Sequence, residues 1–338
     1  MNILSLNIRG FGEGGKIRRF KKLRRDYNPV IVHLQETKCG NSSESWLENL
    51  WGSPDFKFIQ KDAIGSAGGM ITIWDTRVFD IVEATEGEYY LAIRGYWKGK
   101  SEEMAFVNIY GPHTNNKKTI MWDNLDRLVK SCNMPWVLCG DFNEVRCEDE
   151  RFNCIFNKAR ADKFNHFISS NCLIDLPLCG KKYKRYSDNG VKFAKLDRFL
   201  ISENFNNNWP GLNAAILDHN LSDHCPIILR DGIIDFGPKP TKVFNVWLIL
   251  PGAEEIIATI WNTKVHGNRP DRVLYNKLKM VKQELKNLNL SINGKLDEEI
   301  QLLIQSTKSW ETIADSRALN EIEQEAWITD RKKWIEKD

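Results

Sequence analysis

The stretch WVLCGDFNE, residues 136–144, runs from four apolar residues through Gly140 into Asp141 and Asn143 with one aromatic between them. Such a run suits a buried strand, and alternation past the glycine sends Asp141 and Asn143 to the same side. Asp and Asn also favour turns, so this pair alone is equally well explained by turn chemistry. The same pattern recurs, however. Asn7 ends NILSLN, Glu36 ends VIVHLQE, Tyr110 ends MAFVNIY, Asp197 lies in KLDRFLIS, and Asp223-His224 precedes the apolar CPIILR.

Each residue has an ordinary structural reading. Asn7 is a strand-end turn residue, Glu36 pairs with Lys38, Tyr110 is a packing aromatic, Asp197 makes a salt bridge, and Asp223-His224 after Ser222 is a capping arrangement. Eight such groups at strand ends are harder to explain as independent turn formers. Together they match the needs of phosphodiester hydrolysis. A hard divalent cation prefers carboxylate and amide oxygens, for which Glu36 is the first choice with Asn7 nearby. Asp141 suits the deprotonation and aiming of a water, with Asn143 holding its orientation. A histidine that donates to a phosphoryl oxygen needs a fixed tautomer and a raised pKa, which a carboxylate such as Asp197 supplies.

The elements that must position these groups follow from periodicity. Up to about residue 230, strand-like runs alternate with helical patterns near 16–27, 43–51, 116–131 and 158–170. Consecutive strands require hairpins, which predicts mixed or antiparallel sheets in a layered α/β arrangement rather than a parallel nucleotide-binding sheet. Neither GxGxxG nor GxxxxGK[ST] is present, so no nucleotide cofactor is expected. In KIRRFKKLRR, residues 16–25, Ile17, Phe20 and Leu23 have helical spacing, giving an amphipathic helix whose exposed charges are available to phosphate or to nuclear import.

With 42% hydrophobic and 28% charged residues, the chain has the composition of a globular protein. No apolar run reaches membrane-spanning length and the start is too polar for a signal peptide, so the expected location is nucleus or cytoplasm, without membrane association. The eight cysteines form no CxxC pair and are expected as reduced, small core residues. A net charge of +3 permits a polyanionic partner without demanding one.

After DFGPKPTK, residues 235–242, the composition changes. Leu274, Leu278, Val281, Leu285, Leu288 and Ile292 alternate steps of four and three, and Leu296, Ile300, Leu303, Thr307, Trp310 and Ala314 continue the seam beyond Asn293-Gly294. An antiparallel helical hairpin turning at Asn293-Gly294 is expected, in a structural or connecting role. The expected division is a catalytic domain over residues 1–232, a linker over 233–269 and the helical extension over 270–338.

The motifs LNIRG (6–10), LQET (34–37), NIYGP (108–112), GDFN (140–143), LDRF (196–199) and SDHCPI (222–227) resemble, in order, those of the endonuclease/exonuclease/phosphatase superfamily, which includes DNase I and the exonuclease III-like abasic-site endonucleases. SAGGMITIWD at 66–75 and the DFGPKP…FNVWL continuation are similar to the amino-terminal part of plant non-LTR retrotransposon polyproteins. The resemblance implies a DNase I-like four-layered α/β sandwich of two mixed sheets with the site at one end, a magnesium cofactor (manganese as substitute), and DNA as partner. It places Glu36, Asn7 and Asp223 at the metal, Tyr110 on the phosphate, Asp141 and Asn143 on the water, and His224 with Asp197 on the pentacovalent phosphate. In that retrotransposon branch the domain nicks chromosomal DNA to leave a priming 3′-hydroxyl.

Two departures accompany the resemblance. Arg185 and Tyr186 stand where the branch commonly has Thr-Trp, and with Arg198 they are the expected phosphate or DNA contacts. A reverse transcriptase domain, expected in a full-length relative, has no counterpart in the sequence. The alternatives to a nicking endonuclease are therefore a decayed retroelement fragment that only binds nucleic acid or assembles, and a phosphoester hydrolase of another branch, such as a phosphoinositide phosphatase or sphingomyelinase.

Overall fold

A computed structural model describes residues 1–338 except 13, 66, 181–184, 187–191, 219–221, 233–244, 264–269 and 338. In chain order the first part runs β1 (Asn2–Asn7), α1 (Gly14–Tyr27), β2 (Ile31–Gln35), α2 (Glu44–Trp51), β3 (Phe56–Ile64), β4 (Ala67–Asp75), β5 (Phe79–Glu86), β6 (Tyr90–Trp97) and β7 (Glu103–Tyr110). It continues with α3 (Asn115–Lys130), β8 (Trp136–Asp141), β9 (Arg151–Phe152), α4 (Lys158–Ser170), β10 (Leu173–Asp175), β11 (Leu178–Cys179), β12 (Arg185–Tyr186) and β13 (Phe193–Ala194). β14 (Asp197–Ser202), α5 (Glu203–Asn208), β15 (Leu212–Ile216) and β16 (Ile227–Asp231) complete it.

The strands form a seven-stranded sheet, β11-β15-β16-β1-β2-β4-β3, a six-stranded sheet, β10-β14-β8-β7-β6-β5, and a small third sheet, β12-β13-β9. Both large sheets are mixed: β1 with β2 and β7 with β8 are parallel, and most other pairs are antiparallel.

Alternation along each strand explains the layering. In β1, Ile3 joins Ile31, Phe106, Val137, Phe199 and Ile227 in the core that unites residues of both sheets, while Leu4 and Leu6 pack with Phe20, Leu23, Leu47 and Trp51 of α1 and α2. In the other sheet, Val107, Ile109, Leu138 and Leu200 pack with Trp122, Leu125 and Phe164 of α3 and α4. Strands covered on both faces are apolar on both faces. The result is the expected helix–sheet–sheet–helix sandwich. The basic segment 16–25 is the expected amphipathic helix, with Phe20 and Leu23 buried.

The chain divides by its contacts into two compact units, Met1–Ile233 with Trp310–Ile328, and Ile234–Ser309 with Thr329–Asp338. In chain order after β16 come α6 (Asn245–Leu248), α7 (Ala253–Asn262), α8 (Pro270–Ser316) and α9 (Glu321–Lys337). Helix α8 continues through Asn293-Gly294, which corrects the expected turn there. One glycine inside a helix costs only about 1 kcal/mol relative to alanine, too little by itself to end a helix this long. The chain instead reverses between Ser316 and Glu321. In the first unit, Trp310, Ala314, Leu319 and Trp327 pack with Phe193 and Cys225. In the second, Val281 and Leu285 of α8 pack with Ala253 and Ile260 of α7. Of the expected linker, residues 233–269, the segment DFGPKPTK lies outside the described residues, while α6 and α7 fall within the part that is described.

All eight cysteines are free, yet only Cys139 and Cys225 are buried, which corrects their expected place in the core. No helix among the described residues is long and apolar enough to cross a membrane.

Candidate active site

The registers of the six-stranded sheet set three of the expected residues in one row. Asp141 at the end of β8 faces Tyr110 of β7 on one side and Asp197 of β14 on the other. Gly140 has φ +135° because its α-carbon lies against β7; a Cβ there would stand 2.1 Å from the Ile109 carbonyl oxygen. The glycine that interrupts the apolar run thus allows the two strands to approach where Asp141 emerges.

Asn7 ends β1 in the other sheet and reaches across. Its Nδ2 donates to Asp141 Oδ2 at 3.0 Å, and its Oδ1 accepts from the Arg9 backbone N–H at 3.2 Å. Asp141 Oδ1 accepts from the Asn143 backbone N–H at 2.9 Å. The Asn143 side chain donates to the Gly111 carbonyl at 2.7 Å, joining the loops after β7 and β8. Asn143 therefore orients Asp141 through its backbone while its amide group anchors the turn. Asn143, Glu36 and Arg9 all have φ near +52°, a conformation uncommon for side-chain-bearing residues and typical of functional strand ends.

His224 follows Asp223 in the segment before β16, and its Nδ1 lies 2.7 Å from Asp197 Oδ2. Its Nε2 is 3.8 Å from Asp141 Oδ2. Ligand-type atoms of Asp141, Asp197 and His224 all fall within 4.8 Å of one another, and all three residues are buried. Burial by itself disfavours the imidazolium, but the charges of Asp197 and Asp141 and the hydrogen bond that His224 donates to Asp197 outweigh it and raise the His224 pKa. Burial also pushes the Asp197 carboxyl up, and the His224 charge restrains it. With Nδ1 engaged by Asp197, the histidine is oriented as a hydrogen-bond donor through Nε2.

Tyr110 links the remaining acids. Burial raises its pKa most, followed by the charges of Glu36 and Asp141, a hydrogen bond with Glu36, and the charge of Asp223. The phenol stays protonated and donates to Glu36. Asp223 is buried and pairs with Arg9 at 3.1 Å. Glu36 also lies 3.7 Å from Lys38, so the surface pair read from the sequence coexists with its place in the site. The LQET turn is fixed by backbone bonds from Thr37 and Lys38 to Gly69 and Gly68.

A cluster of carboxylates with an amide and a phenol is an oxygen donor set, which fits a hard divalent cation. The structure thus brings together Asn7, Glu36, Tyr110, Asp141, Asn143, Asp197, Asp223 and His224. Arg198 is placed elsewhere, which corrects its expected role at DNA. One position past Asp197, alternation turns it to the opposite face. There it is fully buried, over the Phe164 ring, and bonded to Glu150 and Asp175. Arg185 and Tyr186 form β12, paired with β13; their side chains lie outside what the structure describes.

Three contributors escaped the sequence reading. Lys16 of α1 donates to the carbonyls of Ile8, Arg9 and Gly10 at 3.2, 3.3 and 3.2 Å and holds the turn after Asn7. Lys118 of α3 bonds Glu144 and the Asn143 carbonyl. Lys16 belongs to the helix whose charges are expected to be exposed, and Lys118 falls in the helical pattern near 116–131, where nothing in the spacing marks it. Asn108 donates to the Leu34 and Ile71 carbonyls and accepts from Gln35, tying the two sheets beneath the site. Its signal was a lone amide inside the apolar run MAFVNIY.

A two-sheet sandwich with a convergent acidic, amide and imidazole site at its strand ends is an arrangement suited to phosphoester chemistry. A model of the Endonuclease/Exonuclease/phosphatase family matches residues 4–224, and the chain belongs to that family. No curated protein sequence matches it. Among solved structures, the fold is similar to the AP endonuclease LMAP from Leishmania major, with 15% identity, TM-score 0.54, and coverage of 68% of this chain and 86% of that one. It is also similar to the Xenopus laevis APE2 catalytic domain, with 15% identity, TM-score 0.54 and coverage of 68% and 91%. The endonuclease domain of TRAS1, a telomere-specific non-LTR retrotransposon, is similar at 13% identity and TM-score 0.51, with coverage of 69% and 99%.

Proposed function

We propose that this chain is a divalent-metal-dependent phosphodiesterase that nicks DNA. The observation that carries this reading is the hydrogen-bonded line Asn7–Asp141, beside His224–Asp197, assembled from both sheets. Membership of the family supports phosphoester hydrolysis, and the retrotransposon endonuclease among the similar folds is consistent with DNA.

In this reading Asp141 takes a proton from the attacking water. Asn7 and the Asn143 N–H hold its two oxygens so that the carboxylate points one way. The water oxygen bonds to phosphorus as the P–O3′ bond breaks, the departing 3′ oxygen takes a proton from bulk water to become the hydroxyl, and Asp141 returns its proton to bulk water. His224, oriented by Asp197, donates through Nε2 to a phosphoryl oxygen whose charge grows in the transition state. Tyr110 donates toward the phosphate or Glu36. Magnesium, with manganese as substitute, would be held by Glu36 with Asn7 and Asp223, and would supply positive charge to the phosphoryl oxygens.

The test is nicking of supercoiled plasmid by the purified chain. Relaxed circles in magnesium and none in chelator are expected. Bound DNA with no relaxed circles in either magnesium or manganese would overturn catalysis on DNA. Phosphate release from lipid headgroups in its place would assign the chain to the phosphatase side of the family. An Asp141→Ala variant equal to the parent in every hydrolytic assay would support a binding remnant.

A further inference from the structure

Next to the catalytic loop, on the outer side of the six-stranded sheet, basic side chains surround a single acid. Glu144 directly follows Asn143 and is only 2% exposed. Lys118 Nζ is 2.7 Å from Glu144 Oε2, Arg160 Nε is 3.5 Å from the same oxygen, and Arg151 is 3.9 Å from Oε1. A buried acid needs a partner, but three cations exceed what one carboxylate requires.

A cavity of about 160 Å³ opens there, lined by Asn115, Lys118, Glu144, Arg160 and Lys163 among others. That is several times the share of one water molecule, about 30 Å³. Its charged lining carries three cations against one anion. Arg160 Nε meets Glu144 only as an ion pair at 3.5 Å, without a hydrogen bond, while the other end of the guanidinium is fixed by Asn115 at 2.9 Å. Lys163 is held at 3.1 Å from Thr119 Oγ1. Both α3 and α4 begin at this cavity, so their N-terminal N–H groups add positive potential. Room and a surplus of cationic charge over the one carboxylate together suit a compact oxyanion.

We propose that this cavity is a second phosphate-binding site, separate from the catalytic carboxylates, that takes a phosphate group through Arg160, Lys163 and Lys118. Building on the DNA-nicking reading, the phosphate belongs to the backbone of the bound strand, next to the one being cleaved. Lys118 also bonds the Asn143 carbonyl, so occupancy is mechanically joined to the loop that orients Asp141.

The experiment measures affinity of the full chain for a labelled DNA duplex in chelator, over a range of salt concentrations. Each lost phosphate contact lowers the slope of log affinity against log salt by about 0.9. Arg160→Gln and Lys163→Gln are each expected to lower it by about that amount, and Lys130→Gln, at the far end of α3, to leave it unchanged. Two variants are used because Arg160 also bonds Asn115. In a second arm, inorganic phosphate is titrated while Tm is followed. A Tm rise in the parent that is lost in both variants, with unchanged DNA slopes, assigns the site to free phosphate. Lowered DNA slopes assign it to the strand, even if no plasmid is nicked. Unchanged slopes together with identical phosphate responses would overturn the site, even if nicking succeeds.

Discussion

Asn7 and Asp141, 134 residues apart, meet through a 3.0 Å hydrogen bond that spans the two sheets of the sandwich. The bond leaves the Asp141 carboxylate with one oxygen held by a side-chain amide and the other by the Asn143 N–H. Both donors fix the direction of the carboxylate. Removing Asp141 by Asp141→Asn is expected to lower the nicking rate by about a hundredfold or more. Asn7→Ala is expected to lower it by a smaller factor, about tenfold to a hundredfold, because the acid remains but is less well aimed. Initial rates of plasmid relaxation would show this order, and equal rates for Asn7→Ala and the parent would remove Asn7 from the site.

The pairing of His224 with Asp197 has a pH signature. The neighbouring carboxylates raise the His224 pKa, so the donating imidazolium is present below that pKa and is lost above it. Asp197→Asn removes one raising charge. The alkaline limb of the kcat/KM profile is then expected to move to lower pH by about 1 to 3 units. A limb that stays in place would show that His224 is not the group being titrated.

His33 lies in the core between the sheets, fully buried, with Nδ1 3.1 Å from Thr72 Oγ1. Burial lowers its pKa to about 3 from an ordinary 6.5. The unfolded chain therefore takes the proton first as pH falls. The stability associated with neutral His33 is complete above pH 6.5 and is lost between 6.5 and about 3. The loss per pH unit is at most about 1.4 kcal/mol. His33→Gln is expected to flatten the fall of the urea midpoint across that window, whatever its effect at neutral pH. An unchanged slope would place the acid sensitivity in other groups.

Arg198 separates stability from binding. It bonds Glu150 and Asp175, and the Glu150 carboxyl, which burial alone would raise, is brought down to about 2, chiefly by the Arg198 charge and hydrogen bond. Arg198→Met removes the fully buried cation of this cluster, leaving Glu150 and Asp175 only Lys195 and Arg146, and is expected to cost about 3 kcal/mol. DNA affinity of the folded fraction is expected to stay at the parent value. Lost affinity with unchanged stability would return Arg198 to the DNA-binding face.

The alternation in NILSLN, VIVHLQE and WVLCGDFN was enough to define buried strands that end on polar groups, because strand periodicity is local. The six ordered motifs carried the family, and with it the layers. Which polar group meets which was not local. That Asp141 stands between Tyr110 and Asp197 follows from strand register, and that Asn7 bonds Asp141 follows from the packing of one sheet on the other. Arg198 and Lys118 show the same limit from the other side. Adjacent residues on a strand face opposite layers, so Asp197 enters the site while Arg198 leaves it. A lysine on a helix counts as solvated until the loop it touches is known. The turn expected at Asn293-Gly294 is absent, since a single glycine costs a helix only about 1 kcal/mol and the helix runs on through it. Residue type and spacing determined which chemistry the chain carries, whereas the pairing of distant strands and helices decided which atoms share it, since contact between remote segments is settled only when their apolar faces pack.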